Sequence, residues 1–403
     1  MVYYMSRNKK GQALLLVLIL STVILLIGSA AVTLSTAVRR NAIRDIWQKK
    51  AYYIAEAGVE MAMADLRQRF INPDPGFEEL SIHNAPYADG VIDEVTINDI
   101  DTQNEIGSLM KITSKGRYRE AYKTLEVGVL VTTMADVFNG LSILPDTPAD
   151  IDTDVVGNFT LLPAGQSKKP RMIVNGDLTF GSNADINAVV FASGEITDKH
   201  NRINSKDKYP NYSYIPPFPK LPSMNWFRDN ATQCFSGGIT IGEDSNGRRA
   251  GQGQDDFLDI ASMEANGLYI VEGDVSISGT YFVPATIVAT GDISVEDLQR
   301  NDRENGLLLT LIALGDVSVK GNSDIDAVIV ACGSYCGSGN KELFGSIVTQ
   351  RLDKNKISGK TEIRTDPDLV ERSLKEFFQR VKDTSAIPDN PYPKVTIKSW
   401  QGG

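Results

Sequence analysis

Residues 176–194 read GDLTFGSNADINAVVFASG, and residues 315–333 read GDVSVKGNSDIDAVIVACG. Nine of the nineteen positions are identical, across a separation of more than a hundred residues. Between them lie Gly273-Asp274-Val275-Ser276-Ile277 and Gly291-Asp292-Ile293-Ser294-Val295. The glycines fall 18 apart in three cases (176 to 194, 273 to 291, 315 to 333) and 24 apart in one (291 to 315). Each unit runs Gly-Asp, then apolar-polar-apolar, then a polar turn, then a second apolar run. Alternation of this kind makes a short strand with one buried face. The runs Ala188–Ala192 and Ala327–Ala331 are continuous apolar stretches, so they are expected to be buried on both faces. A period near 18 residues fits one coil of a β-solenoid stacked on the next. A meandering β-sandwich is the competing arrangement. The near-duplicate at long separation favours the solenoid, because stacked coils repeat one environment.

The predicted solenoid-like body, a parallel β-helix, covers residues 136–365. An insertion is expected at about 200–265. Its stretch Tyr209–Trp226, YPNYSYIPPFPKLPSMNW, is rich in proline and aromatics and is expected to form an extended surface strap. Residues 237–253 are glycine-rich and polar and are expected to be a mobile loop. Residues 366–403 form a C-terminal helix and tail, with Asp366 as the cap and Pro367 in the first turn. Leu369, Leu374, Phe377 and Val381 would lay an apolar face on the open end of the stack, since such stacks need a cap.

Chemistry is sparse. The repeated Asp177, Asp274, Asp292 and Asp316 occupy one repeat position. That suits a turn role, in which the side chain satisfies backbone N–H groups, better than a catalytic one. Glycosidase-type catalysis needs paired carboxylates in a cleft, and a catalytic residue would break the repeat instead of following it. The chain has two histidines, no phosphate-binding loop and no serine elbow. No enzyme activity, metal or cofactor is expected. Asp150-Ile151-Asp152-Thr153-Asp154 starts like a calcium loop, but Val155 and Leu161 stand where glycine and glutamate are needed, so a solvated acidic turn is expected. A net charge of -10 argues against nucleic-acid binding. The three cysteines are too few for a disulfide scaffold. Cys332 and Cys336 are expected to close a small disulfide across a turn, with two reduced thiols as the alternative.

The N-terminal part is of another kind. Residues 13–38, ALLLVLILSTVILLIGSAAVTLSTAV, carry no charged side chain. As a helix they span about 39 Å, enough to cross a hydrocarbon core of about 30 Å. The run is long for a cleaved secretory signal, although Gly28-Ser29-Ala30-Ala31 offers a small-residue site. Arg7, Lys9 and Lys10 precede it, and Arg39, Arg40, Arg44, Lys49 and Lys50 follow it, so charge does not orient the span. A short leader places the large body on the far side of whatever that leader faces. No proline occurs before Pro73, so the helix is expected to continue to about residue 70. It carries two apolar stripes: Ile54, Ala57, Met61 and Ala64, and Val59, Met63, Leu66 and Phe70. Both faces should therefore be buried, against the chain's own body or against neighbouring subunits. Residues 71–135 then alternate as a small antiparallel β region on the upper helix.

The basic Lys9-Lys10, then Gly11, then Gln12-Ala13-Leu14-Leu15-Leu16 resembles a type IV prepilin leader. Ala55-Glu56-Ala57-Gly58-Val59-Glu60 is similar to the signature of PilX-type minor pilins. The resemblance covers about the first 70 residues. It implies a leader over 1–11, cleavage between Gly11 and Gln12 by a prepilin peptidase, and an assembly helix over 12–70. Partners would be other pilin subunits, the cytoplasmic membrane and a possible surface ligand. The chain would be a single-pass membrane protein that moves to an extracellular pilus or the cell surface. Major pilins carry glutamate at the fifth mature position; here that residue is Leu16. The family's minor and tip subunits share this absence, so a priming or capping role is expected. The alternative is a permanently anchored surface solenoid that binds glycan or envelope proteins.

Overall fold

The computed structural model describes residues 9–71, 82–100, 105–146, 152–155, 157–165, 168–242, 256–258, 260, 263–300, 308–357, 359–382 and 394–402. They are arranged in two compact units, one holding the N-terminal helix and a small sheet, the other the long parallel β body.

The first unit is built on α1 (Lys9–Ile71), a single helix of 63 residues. At about 1.5 Å per residue it is roughly 95 Å long. Its C-terminal half packs on an antiparallel sheet of β1 (Ile82–Tyr87), β2 (Gly90–Ile100), β3 (Ser108–Tyr118) and β4 (Ala121–Thr132). A fifth strand, Lys394–Gly402, pairs beside β4. The expected C-terminal tail is thus a sheet strand, a pairing that its sequence does not announce.

One stripe of α1 is buried in this unit, not two. Ala51, Ile54, Ala55, Gly58, Val59, Ala62, Met63 and Leu66 are covered, while Met61 and Ala64 face solvent. The buried positions recur at spacings of three and four, so they line one side of a 3.6-residue helix. A single sheet supplies a single face. The side chain of Phe70 and the expected helix break at residues 72–76 lie outside the described residues.

The second unit is a parallel β-helix. The short helix α2 (Met134–Val137) leads into it, and its first run holds β5 (Gly140–Ile143), β6 (Asp152–Val155), β7 (Asn158–Pro163), β8 (Arg171–Val174), β9 (Asp177–Phe180), β10 (Asp185–Ile186), β11 (Val189–Ala192), β12 (Ile196–Thr197) and β13 (Lys208–Tyr209). Its second run begins with β14 (Gln233–Ser236), β15 (Ile239–Ile241), β16 (Asp256–Leu258), β17 (Leu268–Glu272), β18 (Val275–Tyr281) and β19 (Thr286–Ala289). It continues with β20 (Ile293–Arg300), β21 (Leu309–Ala313), β22 (Val317–Lys320), β23 (Asp324–Gly337), β24 (Lys341–Ile357) and β25 (Lys360–Thr365).

Every pairing among these strands is parallel, and like positions of successive coils sit in register. Leu311 stands between Ile287 and Ile329, and Ile293 between Val275 and Val317. Three walls result. The longest runs β13-β11-β8-β5-β24-β23-β21-β19-β17-β14. The second contains β10, β7, β25 and parts of β24 and β23. The third contains β6, β9 and β12 in one stretch and β16, β15, β18, β20, β22 and the end of β23 in another. Spatial order departs from chain order. The chain enters at β5 in the middle of the long wall, builds outward to β13, crosses to β14 at the other end, and builds back to β24 beside β5.

The interior is a column of aliphatic side chains, with Leu141, Ile287, Leu311, Ile329 and Ile347 fully buried from the long wall. The outer face of that wall carries a second apolar cluster, including Ile173, Phe191, Ile270, Val288, Ile312, Val328 and Val348. This is why the Ala188–Ala192 and Ala327–Ala331 runs are apolar throughout: both of their faces are covered.

The cover is the proline-rich strap. Tyr209, Tyr212, Ile215, Phe218, Leu221 and Met224 pack on the outer cluster. Phe191 stacks with Tyr209 at 5.0 Å between ring centroids and meets Tyr212 edge-on at 4.9 Å. Tyr212 also donates a hydrogen bond to Glu105. The strap ends in α3 (Met224–Asn230), capped by Ser223 Oγ, which accepts from Trp226 N at 3.3 Å. It carries the chain from β13 to β14.

Several expectations are corrected here. Residues 233–258 contribute coil strands β14, β15 and β16, so the insertion reduces mainly to the strap and α3. Gly237–Ile241 is a corner and a strand, because Ile239 and Ile241 fill the core; residues 243–253 lie outside the described set. Asp152–Val155 is strand β6 with Thr153 and Val155 buried, not a solvated turn. The C-terminal helix α4 (Pro367–Lys382) is capped as expected: Asp366 Oδ1 accepts from Asp368 N at 3.1 Å and from Leu369 N at 3.3 Å. Its Leu369, Val370 and Leu374 join the outer cluster of the long wall, however, and do not cover an open end. Ile203 enters the interior core after β12, and Leu258, Ile260 and Met263 enter it beside β15. The side chains of Phe377 and Val381 are outside the described residues.

Candidate membrane and assembly helix

From Leu14 to Val38 every large apolar side chain of α1 that is Leu, Ile or Val lies at the surface of the chain. Leu16, the position where a registering glutamate would stand, is 66% exposed. The helix is long and apolar enough here to cross a membrane, and none of its most apolar stretch is buried. Ser21, Thr22, Ser29, Thr33 and Thr36 inside it bond their hydroxyls back to the helix. Thr22 Oγ1 donates to Leu18 O at 2.8 Å, Ser29 Oγ to Leu26 O at 2.9 Å and Thr33 Oγ1 to Ser29 O at 2.8 Å. A hydroxyl bonded back to the preceding turn asks nothing of its surroundings, which removes most of the cost of placing it in an apolar medium. Gly11 and Gln12 lie in the first turns of α1, and their side chains are outside the described residues.

The Ala55–Glu60 signature divides across the helix. Ala55 and Gly58 are buried against the sheet, Glu56 and Ala57 are half-buried, and Glu60 is exposed. Gly58 sits where a Cβ would collide with Ser114 Oγ and would press on Val95 Cγ2 at 3.0 Å and Ile92 Cγ2 at 3.3 Å. From the opposite side, Gly116 of β3 abuts the helix backbone: a Cβ there would collide with Ala51 O and Ala55 N. Gly90 makes room for a side chain instead: a Cβ there would collide with Ile54 Cδ1 and with Arg117 O of the neighbouring strand. Gly58, Gly116 and Ala55 thus let a helix and a sheet approach almost backbone to backbone. Gly58 is visible in the sequence motif; Gly90 and Gly116 carry no motif and are found only through the packing.

The junction between exposed and packed halves of α1 is fastened by cations over rings. Lys50 Nζ lies 4.4 Å from the centre of the Tyr118 ring and donates to its hydroxyl at 3.1 Å and to Asp89 at 3.4 Å. Those partners raise its pKa. Arg119, held at φ +54° in the β3–β4 turn, puts its guanidinium 5.2 Å from the Trp47 ring centre.

In the β body the repeated aspartates bond the next coil. Asp177 Oδ1 accepts from Glu195 N at 2.7 Å, and Asp316 Oδ1 from Ser334 N at 2.6 Å. The expected backbone-satisfying role is what the geometry gives. No disulfide joins Cys332, Cys336 or the exposed Cys234 among the described residues. The chain turns a corner between Cys332 and Cys336. Cys332 follows Ala331, which pairs in the long wall, whereas Cys336 pairs with Ser318 in the third wall. Burial pushes the Cys332 thiol up to about 11. Among the described residues no group of His, Cys, Asp and Glu could hold a metal ion.

No family model and no curated protein matches the sequence. Among solved structures, the competence-associated pilin ComZ from Thermus thermophilus is similar at a TM-score of 0.36 and 12% identity, over 88% of this chain and 97% of that one. A likeness at that level establishes neither the fold nor the function of this chain.

Proposed function

We propose that the chain is a minor-pilin-like subunit of a type IV pilus or a related secretion filament. The observation that carries this reading is the division of α1. One continuous helix is bare and apolar over its first half, self-satisfied in its hydrogen bonds, and locked to its own sheet over its second half. A helix of that kind can rest in a bilayer before assembly and pack against like helices afterwards, without refolding the unit that carries it. Gly11 and Gln12 mark the processing site, and a prepilin peptidase would cut between them. Leu16 in place of glutamate supports a priming or capping position instead of a shaft position, since a buried carboxylate is retained only where it finds a partner. The body is non-catalytic and presents its long parallel walls outside the cell for adhesion or for contact with other subunits.

The mature N-terminus tests the reading. Sequencing the protein recovered from its native envelope should give Gln12 as the first residue. An intact Met1 would overturn the filament reading and leave a permanently anchored surface β-helix that binds glycan or envelope proteins.

A further inference from the structure

Just beyond the apolar run, the first unit carries a groove of about 750 Å³ between α1 and the β3–β4 hairpin. Arg40, Ile43, Arg44 and Trp47 line it from one face of the helix, and Glu120, Tyr122 and Lys123 line it from the hairpin. Arg40 and Arg44 are exposed, Tyr122 is 75% exposed and Trp47 is half-buried. Three cations against one carboxylate make it basic in a chain whose net charge is -10. Position is the second observation. Arg40 to Gln48 lies about 3 to 15 Å past Val38 along the helix axis, at about 1.5 Å per residue. The near end of that stretch lies in the headgroup layer, roughly 5–7 Å thick, when Val38 stands at the edge of the hydrocarbon, and Trp47 lies just outside it. Trp and Tyr bordering the headgroups are side chains an interface favours. Basic residues on the translocated side of a span run against the charge bias of membrane proteins, so their gathering in one groove asks for a ligand.

We infer that this groove binds the headgroup of an anionic phospholipid, with Arg40, Arg44 and Lys123 on the phosphate and Trp47 and Tyr122 against the part of the headgroup that projects away from the bilayer. The inference rests on the membrane-inserted reading of α1. Holding one lipid at the junction would fix the depth and rotation of the helix before the subunit is withdrawn into a filament.

The full chain, reconstituted in phosphatidylcholine vesicles, tests it through the relative association of spin-labelled phosphatidylglycerol and phosphatidylcholine. Two variants of equal charge are compared: R40Q/R44Q inside the groove, and R39Q/K49Q on the same helix but outside its lining. The wild type should select phosphatidylglycerol. R40Q/R44Q should lower that selectivity by about fivefold or more, the scale of one basic residue at an anionic surface, and R39Q/K49Q should lower it less than twofold. Millimolar glycerol 1-phosphate should not compete; competition would mean that a free phosphate is the ligand and would overturn the lipid assignment. Equal loss in both variants, or no selectivity in the wild type, would also overturn it. If the chain fails to float with vesicles of either composition, the membrane reading itself falls; floating without selectivity removes the groove alone. An unchanged thermal transition of the first unit confirms that both variants are folded.

Discussion

Asp274 Oδ1 accepts a hydrogen bond from the backbone N of Asp292 at 2.8 Å, one coil away. The same bond recurs upward: Asp292 Oδ1 accepts from Asp316 N at 2.7 Å. The glycine before each donating backbone N–H makes room for the carboxylate. A Cβ on Gly291 would collide with Asp274 Oδ1, and one on Gly315 with Asp292 Oδ1. Gly and Asp are therefore two halves of one joint, made by consecutive coils. Asp292→Ala should cost about 1 kcal/mol, since the bond is solvent-exposed. Gly315→Ala should cost more, because the Gly291 carbonyl oxygen also stands 3.0 Å from the new methyl. The double variant should cost less than the sum, as the missing carboxylate frees the space. Denaturant titration of the three proteins checks this; strict additivity would contradict the joint.

The helix–sheet contact gives a sharper contrast. Gly58→Ala gains up to about 1 kcal/mol of helix propensity but meets Ser114 Oγ, so it should destabilise the first unit by about 1–3 kcal/mol. Adding Ser114→Gly should recover much of that, because the obstacle is a side-chain atom. Gly116→Ala meets helix backbone, and no side-chain change on α1 should rescue it. Melting of the isolated variants reports the difference.

Lys341 is buried, and burial pushes its pKa down to about 8 from 10.5. Between those values the unfolded chain holds a proton that the folded chain has released, so stability rises with pH across that window. Below about pH 8 both forms are charged and the penalty is complete. Lys341→Met, which keeps the aliphatic length, should raise stability by about 2 kcal/mol at pH 7. The gain should shrink as pH rises from 8 towards 10.5. A gain that does not change with pH would refute the burial origin.

Thiol labelling separates the cysteines. At pH 8 without denaturant, Cys234 should react quickly, being exposed, while Cys332 should react slowly because burial keeps it protonated. In denaturant without reductant all three should label. Only one labelled thiol would mean that Cys332 and Cys336 are bridged after all.

The strap should be released by a single core change. Phe191→Ala removes the ring on which Tyr209 and Tyr212 rest, at a cost of about 3–5 kcal/mol. Limited proteolysis should then cut within 210–222 well before the coils are digested, whereas the wild-type strap should resist.

Much of this fold is written in the repeat. The Gly-Asp positions, the 18-residue period and the doubly apolar runs translate directly into corners, coils and a wall covered on both sides. The strap is legible because proline and aromatics together exclude both helix and central strand. Other features are silent for a physical reason. The pairing of Lys394–Gly402 with β4 depends on a partner more than two hundred residues away, and nothing local in KVTIKSWQG names it. Residues 233–258 look like an insertion because their coil has lost the full Gly-Asp pattern, although Ile239 and Ile241 still fill the core. The second apolar stripe on α1 misleads because periodicity shows which side of a helix can be buried, not what stands there to bury it. For the site, the apolar run and Gly58 are readable, while Gly116 and the groove beside Trp47 arise only when strand and helix meet.

The position of β5 between β8 and β24 has a consequence for how the body is made. In an ordinary solenoid the earliest coil lies at one end, and each later coil extends a finished surface. Here the first coil to leave the ribosome is interior, and one of its edges waits for the last. Until residues 341–365 exist, β5 and β7 present open strand edges that β24 and β25 will later cover. The two runs must therefore meet at a seam, and trimming coils from the C-terminal side would open the middle of the stack instead of shortening it. Such a chain should fold late and as a whole, and should depend on protection of that edge until its last coils have been made.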